Sequence, residues 1–132
     1  MKATLEYLSK KHRELISTNY DGQKCWNIAI ETASKLQEEG IVPHIETAYE
    51  VMEKFKTRRL YPKPLKGVDW GVHHVCCTTD EAFDPLIGYP VQKRDYCTIL
   101  FGKELTMYVR ESEFETARQI ERYKWEAASG IK

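Results

Sequence analysis

The chain reads as an α+β protein, with N-terminal helices packed on a small antiparallel sheet. Three observations predict this class. Helix-period apolar residues fill the first third of the chain, a β-branched and aromatic run with a hairpin turn follows, and a capped helical segment closes it. Leu5, Leu8, Leu15 and Ile16 recur among lysines and glutamates, so residues 3–17 predict a first helix. "TNYDG" interrupts it with turn chemistry. The next helix starts near Cys25, carries Ile28, Ala29, Ala33 and Leu36, and stops at Gly40. Ile45, Ala48, Tyr49, Met52 and Phe55 fall at spacings that suggest a third helix. "VDWGVHHVCCTT" reads as a strand, Asp80-Glu81 as a tight turn, and "AFDPLIG" as the return strand. "VQKRDYCTILF" predicts a short helix, "ELTMYVRE" a strand, and "SEFETARQIERYKWEAAS" a closing helix with Ser112 as its candidate cap. With 132 residues, no internal repeat and no linker, residues 1–132 are expected to form a single domain.

Charge and composition narrow the function classes. Twenty basic and 20 acidic residues give zero formal charge, which argues against duplex DNA or an anionic membrane as a whole-surface partner. The one basic run, Lys54 to Lys66 with Tyr61 interleaved, reads as a solvated loop rather than a nucleic-acid patch. No apolar run reaches the roughly 18 residues that span a bilayer, and "MKATLEYLSKKHREL" lacks the apolar core of a secretory signal. The expected setting is the cytoplasm, with Cys25, Cys76, Cys77 and Cys97 reduced. His73, His74, Cys76 and Cys77 raise the alternative of a zinc-stabilised scaffold. Alternation along a strand would offer one metal only two of the four, and no CxxC occurs, so no metal and no cofactor is assigned.

The stretch "QKCWNIAIETASKL" places Cys25 at a helix start, where the dipole and open amides favour a thiolate and can hold an oxyanion. A histidine on the strand and Asp84 after the hairpin follow in the order nucleophile, base and orienting carboxylate. His73 and His74 compete for the role of base because neighbours on a strand face opposite ways.

The ordered trio Cys25-Trp26, "WGVHHVCCTTDEAFDP" and the following "YPVQKRDYCTILF" resembles the papain-like cysteine hydrolases, and within them the small protein-glutaminase and transglutaminase-like branch. That resemblance implies a papain-like or transglutaminase-core fold and a cysteine-dependent amide hydrolase, either glutamine deamidase or specific peptidase, with a protein or peptide substrate. It favours His74 as base, since the histidine there directly precedes an apolar residue such as Val75, with His73 as the alternative. It also makes Gln23 similar to the upstream glutamine of the oxyanion hole. Asn19 is a further oxyanion candidate, and Trp26 and Trp70 are candidate pocket walls. The competing expectation is a non-catalytic protein-binding module on the same fold, in which Cys25 would be a small buried hydrophobe.

Overall fold

The computed structural model describes residues 1–50 and 59–130. The elements run α1 (Lys2–Ser17), α2 (Cys25–Glu38), β1 (His44–Tyr49), β2 (His73–Cys77), β3 (Glu81–Phe83), β4 (Val91–Gln92), α3 (Lys93–Phe101), β5 (Thr106–Glu111) and α4 (Glu113–Ser129). The five strands form one sheet in the order β4-β3-β2-β1-β5, with every neighbouring pair antiparallel. The protein is therefore α+β, and β2 is the central strand.

Both faces of this sheet are covered. On one side, Ile45, Cys76 and Phe83 meet Ala29, Ile30, Ala33 and Leu36 of α2, with Leu8 of α1 and Ile120 of α4 closing the cluster. On the other, Ala48, Val75, Cys77 and Ala82 meet Tyr96, Cys97, Leu100 and Phe101 of α3, together with Leu60, Leu65 and Trp70. Helix α2 ends on Gly40, which takes a left-handed φ of +79°, while the Ile41 amide returns to the Leu36 carbonyl at 3.0 Å. Helix α4 starts in a reciprocal capping box between Ser112 and Glu115.

The third predicted helix is corrected: residues 44–49 form β1, and Met52 and Phe55 lie outside the described residues. Ile45, Ala48 and Tyr49 fit a helical period, but β1 pairs on both sides and is buried on both faces. Apolar residues therefore recur along it without alternating. Lys54, Lys56 and Arg58 of the basic run also lie outside the described residues, whereas Arg59 pairs with Asp69 at 3.1 Å. No helix among the described residues is long and apolar enough to cross a membrane.

Candidate active site

Strand β2 decides which histidine does what. Val75 and Cys77 belong to the α3-side core and Cys76 to the α2-side core. Alternation then turns His73 towards α3 and His74 towards α2. Strand β3 follows the same rule: Ala82 faces the α3 side and Phe83 the α2 side, which brings Asp84 to the face that holds His73.

His73 Nε2 donates to Asp84 Oδ2 at 2.8 Å, and both side chains are buried. The same carboxylate accepts a short hydrogen bond from the Tyr96 hydroxyl, again on Oδ2, while its Oδ1 accepts the Leu86 amide at 2.9 Å. Burial alone would push the Asp84 carboxyl up. The His73 charge and hydrogen bond, with those of Tyr96 and Leu86, instead hold it below the ordinary carboxylate value. Burial likewise opposes a charged His73, but the Asp84 carboxylate and the Cys25 sulfur outweigh it and raise the imidazole to about 9.

The remaining ring nitrogen, His73 Nδ1, is buried and makes no hydrogen bond of ordinary geometry. It is the nitrogen left for Cys25, the first residue of α2, which sits half-buried at the His73 end of β2. Desolvation raises the Cys25 thiol, yet the His73 imidazole and the His74 backbone amide outweigh it and bring the pKa below that of an ordinary cysteine. Helix α2 has no side-chain cap and no acidic residue in its first turn, so no side chain caps the amides at the end that carries Cys25. Cys76, Cys77 and Cys97 are buried, and burial pushes each of their thiols up.

The preference for His74 as base is corrected. Its Nδ1 lies 2.8 Å from Thr47 Oγ1 on β1, and its ring meets the Trp26 indole edge-on at 5.3 Å. Burial, then the positive charges of His73 and Arg110, lower it to about 4, so it stays neutral and turned away from Asp84. His73, the alternative, is the histidine that stands beside Asp84. Asn19 is corrected too: its side-chain amide is committed at both ends to the Lys66 backbone, at 2.9 and 3.0 Å, and serves as a loop clamp. Gln23 lies exposed on the turn before Cys25, its backbone N–H donating to Asp21 Oδ1 at 3.0 Å. The four residues of the zinc alternative divide between the faces, and among the described residues no group of three or more His, Cys, Asp or Glu could hold a metal.

Trp70 ties the site together. Its indole stacks on the His73 ring at 4.6 Å and 15°, while Phe101 meets the same ring edge-on at 6.0 Å. Its Nε1 donates to the Asp21 carbonyl at 3.1 Å, anchoring the turn that carries Cys25. In that turn Tyr20 Oη accepts the Lys24 amide at 2.7 Å. Gly22 passes directly over the indole with φ +87°, and a Cβ there would fall 1.6 Å from Trp70 Nε1. Gly22→Ala is therefore expected to cost about 2–4 kcal/mol in denaturant unfolding, combining left-handed strain with overpacking. A loss under about 0.5 kcal/mol would mean that the indole is not held against this turn.

Two contributors escaped the sequence reading. Tyr96 carried no signal beyond its place on an amphipathic helix. His12 braces the Asp84 turn from α1, its Nδ1 meeting the Pro85 carbonyl at 3.0 Å. Comparison of the chain with protein-family models, with curated proteins and with solved structures finds no match in any of the three.

Proposed function

We propose that this protein is a cysteine-dependent amide hydrolase whose triad is Cys25, His73 and Asp84. The carrying observation is the line of groups from Asp84 through the two nitrogens of His73 to a half-buried thiol of lowered pKa. In this reading Cys25 sulfur attacks the amide carbonyl carbon, and the backbone amides opening α2 receive the developing oxyanion, with the Gln23 side chain a further candidate. His73, carrying the proton taken from the thiol, delivers it to the departing nitrogen as the C–N bond breaks. It then removes a proton from the water that attacks the thioester, and that proton returns to the thiolate as the acid leaves. Asp84 keeps Nδ1 aimed at sulfur and stabilises the imidazolium.

The helix that offers a cysteine to a strand-borne histidine and a hairpin aspartate is similar to the papain-like and transglutaminase-like arrangement. A side-chain glutamine amide and a peptide bond would both satisfy these groups, and a protein or peptide substrate is the class proposed. The test is the iodoacetamide labelling rate of each cysteine, followed by peptide mass analysis between pH 6 and 9. Cys25 is expected to label faster than a small reference thiol at pH 6 and to gain little as pH rises, because its thiolate is already populated. A Cys25 rate that climbs with pH as an ordinary thiol does would sink the proposal.

A further inference from the structure

We propose that β5 is the surface through which two copies of this chain pair, edge to edge and antiparallel, about a two-fold axis at Met107. Strand β5 closes one end of the sheet, and among the described residues no strand lies beyond it. The opposite edge is protected in a way that β5 is not, since β4 has only two residues and runs straight into α3. Thr106, Tyr108, Val109 and Arg110 are exposed, Tyr108 by 45% and Val109 by 63%. The stretch from Leu105 to Val109 contains no proline and no charge, the usual devices that keep a sheet edge from pairing. Such an edge offers a row of unpaired backbone donors and acceptors to another strand.

What identifies the occupant is that the sequence around Met107 is complementary to itself when reversed. With Met107 opposite Met107 of the second copy, Leu105 meets Val109, Thr106 meets Tyr108, and Glu104 meets Arg110. Two-fold symmetry repeats each pair, so two apolar pairs flank the centre and two opposite-charge pairs close the ends. Neighbouring registers lose this match. Moving the axis by one residue, the smallest shift that keeps facing side chains on the same side of the sheet, sets Leu105 against Glu111 or Lys103 against Val109 and loses both Glu104–Arg110 pairs. Glu104 and Arg110 are both exposed. The ladder with β1 passes from Glu46–Val109 to Ile45–Glu111, leaving Arg110 as the extra residue of a bulge and outside that pairing. The stacked Tyr49–Tyr108 pair, with centroids 4.8 Å apart, stiffens the same edge from within the sheet.

Sedimentation velocity of the full chain in reductant, over a concentration series, is expected to show a monomer–dimer equilibrium. Arg110→Glu and Glu104→Arg should each weaken the dimer about tenfold or more, because each places like charges opposite one another twice. Combining the two restores opposite charges and should return the equilibrium close to that of the wild type. Far-UV circular dichroism of each variant shows whether the fold is kept, and the rescue by the double variant separates pairing from misfolding. A chain that stays monomeric at every concentration, a dimer indifferent to both single changes, or a double variant as weak as the singles would overturn the proposal. So would a monomer that takes up an extended peptide along β5 in place of a second copy.

Discussion

His73→Ala is expected to abolish amide hydrolysis and to slow Cys25 alkylation at neutral pH by about 100-fold or more, whereas His74→Ala should leave the alkylation rate within about threefold. Adjacent residues of the same type thus give opposite results. The His73 ring holds the proton and lowers the thiol, and its folded pKa lies above the ordinary histidine value, at about 9. The imidazolium that stabilises the thiolate is therefore present throughout the neutral range and is lost only as pH rises through about 9. Without it, the Cys25 rate should rise with pH as for an unassisted thiol. The His74 side chain only reaches Thr47 and Trp26, and its low pKa leaves it neutral. Its contribution to the thiol comes from its backbone amide, which alanine keeps. Rates measured on the two variants in parallel decide the assignment; equal damage from both would contradict it.

Asp84→Ala carries the largest expected cost in stability. A buried imidazolium, a buried tyrosine hydroxyl and the Leu86 amide all lose their shared acceptor, and breaking a buried pair of this kind costs about 3–5 kcal/mol. The Asp84 carboxyl is depressed in the folded chain, so its contribution is present at neutral pH and fades as pH falls below the ordinary carboxylate value of 3.8. Denaturant unfolding at pH 7 against pH 3 should therefore show wild type and variant converging at the acid end. Tyr96→Phe isolates one spoke of this hub. It should cost about 1–3 kcal/mol and, by leaving Asp84 with one donor fewer, raise the His73 pKa in the alkylation profile. A variant that loses stability with no change in that profile would make Tyr96 a packing residue alone.

The order cysteine, histidine, aspartate could be read from the sequence because each residue carries a local sign: a helix start, a β-branched strand, a turn before proline. The choice between His73 and His74 could not. Val75, Cys76 and Cys77 are consecutively apolar because β2 is covered on both faces, and a strand without alternation does not reveal its register. The same cause hid β1, whose Ile45, Ala48 and Tyr49 mimic a helix stripe while serving two cores. Asn19 precedes Cys25 by only six residues, but its positive φ of 46° and its two hydrogen bonds with the Lys66 backbone make it a loop clamp. Tyr96 and His12 reach Asp84 and its turn only through tertiary packing, so no window of sequence around the site contains them.

The division of the site across the central strand has a consequence for biosynthesis. Cys25 comes from a helix on one face, while His73, Asp84 and Tyr96 meet on the other, so the site exists only once both cores have closed around β2. A nascent chain that has emerged as far as α2 carries its cysteine with no imidazole to ionise it. The thiol at that stage is an ordinary, sluggish one, protected from premature alkylation or oxidation by its own lack of partners. The reactivity proposed for Cys25 therefore depends on the docking of β2, β3 and α3, and alkylation faster than that of an ordinary thiol would report that both cores have closed.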